Sequence, residues 1–148
     1  MTHARISAQE AAQLMAAEGY VYLDVRAPEE FGLGHPQGAY NVPLMLLGSS
    51  GMQPNAEFLR VVQASFGVEA KLVVGCQAGN RSQRACVQLL AAGYVSVVEQ
   101  RAGFAGARDA FGRVVEVGWQ GAGLPTQTQA VAGRSYEALR VLDNRDRG

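Results

Sequence analysis

The sequence predicts an α/β fold, with a mostly parallel central sheet and helices on both faces. Three observations predict it. Strand-like and helix-like segments alternate along the chain. The strands are short and apolar, as in Leu72-Val73-Val74, which suits burial on both faces. Finally, 148 residues with 48% apolar content are enough for one domain to bury its own core. No internal repeat or second domain is visible, so residues 1–148 read as a single domain with a core over about 7–126 and a C-terminal extension over 127–148.

The elements follow in order. Ser7 with Glu10 three positions later forms a capping box, so a helix starts there and ends near Gly19. Residues 20–25, rich in β-branched and aromatic side chains, read as a strand. Pro28-Glu29-Glu30-Phe31 opens a short helical turn with proline near its start. Residues 34–43, punctuated by Gly and Pro, read as loop with one short strand around 39–41. Residues 48–54, beginning Gly48-Ser49-Ser50-Gly51, read as a flexible connector. Asn55 is the expected cap of a helix through Gly67, with Phe58, Leu59, Val62 and Phe66 on one face. Residues 71–75 form a buried strand, and residues 76–80 a tight loop. A helix over 81–92 stops at Gly93, and residues 95–99 form another strand. Residues 103–111 read as helical despite two glycines, 112–134 as irregular, and 135–143 as a last helix.

Composition narrows the function classes. Thirteen basic and thirteen acidic residues cancel, which leaves no global field for nucleic acid. No apolar run approaches the roughly 20 residues that span a bilayer. The first five residues lack the charged and apolar regions of a signal peptide, and two cysteines suit a reducing compartment, so a cytoplasmic protein is expected. Two isolated histidines and two separated cysteines make no metal-ligand cluster.

The chemistry is concentrated in Val73-Val74-Gly75-Cys76-Gln77-Ala78-Gly79-Asn80-Arg81-Ser82. A cysteine ends a buried strand, a short loop with a central glycine follows, and a helix begins. In open parallel sheets, ligands bind outside the carboxyl ends of the strands. Amides of a tight loop converge into an anion-binding nest, and the helix adds its positive N-terminal end. A thiolate in that bowl is stabilised without a neighbouring histidine. Arg81 adds a permanent positive charge and a planar fork for an oxyanion.

Cys76-x-x-Gly79-x-Arg81-Ser82 resembles the active-site loop of the rhodanese family. Asp24-Val25-Arg26 with Glu29 and Phe31 resembles that family's first strand and turn. The stretch from Gly34-His35-Pro36 through Gly38-Ala39, Asn41 and Pro43 resembles its His–Gly–Ala–Asn–Pro segment, and Gly123-Leu124-Pro125 its closing motif. The segments from Met45 to Phe66 look most like the plant and bacterial single-domain branch. The similarity spans about residues 7–126.

The resemblance implies a two-step sulfur transfer without metal or organic cofactor. Cys76 would take a sulfane sulfur from a small anionic donor such as thiosulfate and hand it to cyanide or a thiol. Backbone amides of Gln77, Ala78, Gly79, Asn80, Arg81 and Ser82 would cradle the persulfide, and Arg81 would bind the donor. Only four residues separate Cys76 from Arg81, and Gly75 precedes the cysteine. The related phosphatases have a longer loop and usually a histidine before the cysteine, so this smaller bowl suits sulfur better than phosphate. Members that use thiosulfate often place Arg directly after the cysteine, where this chain has Gln77. Arg101, on a loop at the same sheet edge, is the candidate to restore that cation. Arg26 is a further candidate, with a structural ion pair as its alternative role. In place of the family's Gly-Gly-aromatic and tryptophan the chain has Ala102-Gly103-Phe104 and Ala107, with Trp119 or Phe111 left to fill the space.

Other residues have plainer roles. Cys86, in line with Leu89 and Leu90, belongs to the core, roughly 10 Å or more along the helix from Cys76. His35 is expected in a structural hydrogen bond, His3 in a frayed terminus, and Asp24 as an acceptor that pins its loop. Besides an enzyme, the sequence fits a persulfide carrier that delivers sulfur to a protein acceptor in cofactor or thio-RNA synthesis. Tyr136, Leu139 and Leu142 on one helical face could pack on the domain, meet a partner or form a homodimer.

Overall fold

The computed structural model describes residues 2–142. The chain runs through β1 (Ala4–Ile6), α1 (Ala8–Glu18), β2 (Val21–Asp24), α2 (Pro28–Leu33), β3 (His35–Pro36), β4 (Tyr40–Asn41), β5 (Met45–Gly48) and β6 (Gly51–Pro54). It continues through α3 (Phe58–Ser65), β7 (Lys71–Gly75), α4 (Asn80–Ala91), β8 (Ser96–Gln100), β9 (Ala107–Arg108), β10 (Val114–Glu116), β11 (Thr126–Gln127) and α5 (Tyr136–Leu139). Five strands make a parallel sheet in the order β1-β8-β7-β2-β4. The predicted fold class is thus the one observed.

Side chains alternate across this sheet, as the period of two requires. Leu23, Leu72, Val74 and Val97 face one cluster with Phe58, Val61 and Val62 of α3, Ala85, Cys86 and Leu89 of α4, and Tyr136 and Leu139 of α5. Tyr22 and Val73 face the other, with Ala8 and Ala11 of α1, Phe31 of α2, Phe104 and Trp119. Each fully buried side chain of leucine or valine size stabilises the fold by roughly 1.5–3 kcal/mol. The central strand β7 therefore ends at Gly75 between these two packed layers, and Cys76, which follows it, is buried in the first cluster.

Helix α1 keeps the expected capping box: Ser7 Oγ accepts from the Glu10 amide at 3.1 Å, and Glu10 Oε1 accepts from the Ser7 amide at 2.9 Å. Several expectations are corrected. Residues 48–54 are no flexible connector; Gly48 and Gly51 close a hairpin between β5 and β6 across two serines. Asn55 does not cap α3, which begins after Glu57. Its Oδ1 accepts from the Glu57 amide, and its Nδ2 donates to the Pro43 carbonyl and the Tyr136 hydroxyl, so it ties three segments together. Residues 103–111 form turns and β9 rather than a helix, because Gly103 and Gly106 take left-handed φ values of 73° and 105°. The 112–134 stretch contains β10 and β11. His3 is not frayed: it adjoins β1, which pairs with β8.

Ser135 caps α5, whose buried Tyr136 and Leu139, with partly buried Leu142, pack on the domain itself. The helix is shorter than the expected 135–143: it ends at Leu139, Arg140 and Val141 form a turn, and only residue 143 of that expectation lies outside the described residues. Of the two aromatics considered for the empty tryptophan position, Trp119 is buried, edge-on to Tyr22 at 5.3 Å, and donates Nε1–H to the Pro125 carbonyl. Phe111 is 83% exposed.

Candidate active site

Cys76 sits one residue past β7, at the carboxyl edge of the sheet, with 2% of its surface exposed. The chain turns sharply into α4 over Gln77, Ala78 and Gly79. Gly79 has φ 113°, and a Cβ there would lie 2.7 Å from the Arg101 carbonyl oxygen, so glycine satisfies both demands. This turn brings the Gly79 amide to 3.1 Å from Cys76 Sγ.

The neighbouring loop braces the turn from behind. The amides of Phe104 and Ala105 donate to the carbonyls of Cys76 and Gln77 at 2.7 and 3.0 Å. In a trans peptide the C=O and the following N–H point in opposite directions. The amides of Gln77 and Ala78 thus point away from the brace, and neither finds a partner among the described residues. Unsatisfied amides beside the first turn of a twelve-residue helix form an anion-binding concavity around the sulfur.

Gly75 has a steric reason of its own. A Cβ at that position would overlap the buried Tyr22 hydroxyl, so no histidine fits before the cysteine.

The cations are held by carboxylates. Arg81 donates to both oxygens of Glu30, at 2.6 and 2.9 Å. Those bonds occupy two of its five N–H donors, and the others keep the capacity to meet an anion. Burial opposes ionisation of Glu30, but the Arg81 bonds and the Ala27 amide outweigh it and hold the carboxyl below its ordinary range. With the folded value below the unfolded one, the stabilisation is present above the unfolded value, near pH ~4.3, and is lost as pH falls through the folded value. Glu30→Gln is expected to cost about 1 kcal/mol at pH 7, after discounting for the pair's partial exposure, and progressively less below pH ~4. Thermal unfolding at the two pH values checks this.

Arg26 is 2% exposed and structural. It donates from Nε and one terminal nitrogen to Asp24, and from the latter also to the Gly34 carbonyl at 2.7 Å. Its remaining terminal nitrogen donates to Gln77 Oε1 at 3.0 Å, and its guanidinium lies 4.5 Å from the Phe104 ring centroid. Gln77 thereby links the cysteine loop to the Arg26–Asp24 pair, where an arginine would set two guanidiniums together. Asp24 pins its loop, as expected.

Arg101 does not supply the missing cation. Its side chain turns toward the first strand, pairs with Glu116 at 2.7 Å and donates to the Arg5 carbonyl. Only its backbone approaches the cysteine loop, at Gly79. Ala78 and Asn80 contribute backbone to the loop, and Ser82 contributes a buried hydroxyl 3.4 Å from Cys76 Sγ. His35 is buried, with Nδ1 2.7 Å from the Phe31 carbonyl, and serves structure. Cys86 is core, and burial pushes its thiol up. Among the described residues no three His, Cys, Asp or Glu side chains converge to hold a metal.

Two carboxylates escaped the sequence reading. Glu30 completes the Arg81 site; an arginine beside a buried loop requires such a partner, and Glu30 lies on the helical turn that follows the first central strand. Glu99 lies fully buried behind the cysteine. Its signal was a charge in the otherwise apolar run Val97-Val98-Glu99.

A thiol at the carboxyl end of a parallel strand, beside loop amides and a helix N-terminus, has the surroundings that cysteine-dependent group transfer on an α/β sheet requires. The chain belongs to the rhodanese-like domain family of sulfurtransferases, whose sequence model matches residues 7–110. It is 43% identical over 109 residues to thiosulfate sulfurtransferase 16 of Arabidopsis thaliana, a chloroplastic protein, covering 74% of this chain and 81% of that one. It is 42% identical over 93 residues to the rhodanese-like domain-containing protein 15 of the same plant, covering 63% of this chain and 51% of the relative. The crystal structure of Rv0390 from M. tuberculosis superposes with a TM-score of 0.73 at 25% identity, covering 87% of this chain and all of that one.

Proposed function

We propose that this protein transfers sulfane sulfur from thiosulfate or a similar anionic donor to cyanide or a thiol through a persulfide on Cys76. The observation that carries the reading is Cys76 Sγ beside the Gly79 amide at 3.1 Å, with the Gln77 and Ala78 amides unsatisfied at the start of α4.

The Cys76 thiolate attacks the outer sulfur of thiosulfate. The S–S bond of the donor breaks, sulfite leaves with the electron pair, and Cys76 holds a persulfide anion. Cyanide or a thiolate then attacks the outer sulfur, the cysteinyl S–S bond breaks, and the thiolate returns. Two displacements replace one difficult transfer. The loop amides would stabilise the anionic outer sulfur, and the free donors of Arg81 would meet the sulfonate of thiosulfate.

The experiment is thiosulfate:cyanide turnover with Arg81→Ala beside wild type. Hydrogen bonds to charged groups contribute roughly 1.5–3 kcal/mol, so KM for thiosulfate is expected to rise on the order of tenfold or more. An unchanged KM would remove Arg81 from the donor site.

A second reading is a carrier that passes the persulfide sulfur to a protein. It is favoured by a cleft of about 220 Å³ beside the cysteine loop, lined by Arg26, Gln77, Phe104 and Leu33 among others. Leu33 is 86% exposed at its rim, an apolar contact point for a protein acceptor. Sulfur loading with poor turnover toward small acceptors would favour it.

A further inference from the structure

Glu99 is a carboxylate that the displacement chemistry leaves unused. It is fully buried on β8, and its Oε1 accepts from Arg5 Nε at 3.0 Å and lies 2.9 Å from His3 Nε2. Its Oε2 accepts from the Ser82 hydroxyl at 2.7 Å. Ser82, also fully buried, stands between Glu99 and Cys76.

A hydroxyl has one hydrogen. Two acceptors lie within reach of that of Ser82, the Glu99 carboxylate at 2.7 Å and the Gly79 carbonyl at 3.2 Å, while Cys76 Sγ donates to Ser82 Oγ at 3.4 Å. The carboxylate is the shortest contact and the charged one, and hydrogen bonds to ionised acceptors are about twice as strong as neutral ones. It takes the hydrogen. Ser82 then offers Cys76 only a lone pair, which accepts the S–H of a thiol and gives nothing to a thiolate.

We propose that Glu99 is a positioning residue that holds the Ser82 hydroxyl hydrogen, so that Ser82 meets the free Cys76 Sγ as an acceptor and gives a thiolate no hydrogen bond. The proposal rests on Cys76 as the reacting sulfur. Opposing Glu99 are the Gly79 amide, the N-terminus of α4 and Arg81. The restraint acts on the unloaded protein, because a persulfide has no S–H on the inner sulfur to donate. The other titratable and charged groups around this pair are Glu30 on Arg81, Tyr22, Asp24 and Arg26 from β2 and its end, Cys86 from α4, and His3 and Arg5 on Glu99.

The test is the pH dependence of iodoacetamide alkylation, followed on the Cys76 peptide by mass so that Cys86 does not contribute. Glu99→Gln keeps the shape of the side chain but supplies an amide that donates to Ser82 and frees the hydroxyl hydrogen for the sulfur. Its profile is expected to move to lower pH. Alkylation at pH 7 is expected to rise about threefold to tenfold, since each unit gives tenfold more thiolate but a more acidic thiol is a weaker nucleophile. In a Ser82→Ala background the same substitution is expected to move the profile less than half as far. Ser82→Ala alone, which leaves Arg5 and His3 on Glu99, is expected to shift the profile to lower pH and serves if Glu99→Gln does not fold. An unchanged or higher-pH profile overturns the proposal. An equal shift with and without Ser82 also overturns it, because the carboxylate would then act by charge alone. Alkylation needs no sulfur donor, so a failure of the thiosulfate reading and a failure of this proposal remain distinguishable.

Discussion

Cys76→Ser is expected to bring thiosulfate:cyanide sulfur transfer down to the uncatalysed rate while leaving the fold intact. A serine hydroxyl is not ionised at neutral pH and forms no persulfide, so both displacements lose their relay atom. The substitution is nearly isosteric, and the position offers polar neighbours in the Gly79 amide and Ser82 hydroxyl. Its stability cost is therefore expected to stay below about 1.5 kcal/mol. Turnover assays with thermal unfolding of both proteins check the two halves. Residual turnover close to that of wild type would mean that another group carries the sulfur.

Gly103→Ala is expected to damage both stability and activity although residue 103 bears no side chain and touches no donor. Gly103 has φ 73°, and a Cβ would lie 2.5 Å from the Gln77 carbonyl oxygen and 2.6 Å from that of Cys76. Those atoms are backbone, and the same carbonyls are fixed by the Phe104 and Ala105 amides. The left-handed strain alone costs about 1–3 kcal/mol, and the clash adds to it. An expected loss of at least about 3 kcal/mol comes with a displaced 76–79 loop. Chemical denaturation and turnover measure it. A variant of wild-type stability and rate would show that the brace does not set the loop.

Four of the five sheet strands, the cysteine loop and most helices are legible in the sequence for local reasons, whereas β1, three residues long, gives no pattern of its own. The capping box at Ser7, the apolar run before Gly75 and the glycine-centred turn after Cys76 are short-range patterns, and the fold uses each as expected. What stayed hidden is long-range. Arg101 lies on the correct edge, but Glu116 from the β9–β10 ribbon draws its side chain away. Glu30 and Glu99 reach the site from elements 51 and 17 positions removed in sequence from Arg81 and Ser82. Asn55 read as a cap because asparagine favours that position, yet tertiary partners at Pro43 and Tyr136 claim its amide. Residues 48–54 read as a connector because Gly48-Ser49-Ser50-Gly51 carries only loop signals, whereas they hold the turn and second strand of a hairpin whose strands are largely exposed.

The central claim, that Cys76 carries the sulfur, is tested most directly by intact mass before and after incubation with thiosulfate. Wild type is expected to gain the mass of one sulfur atom and to lose it on adding cyanide, and Cys76→Ser is expected to gain nothing. Equal sulfur gain by both proteins, or none by wild type, would contradict the account.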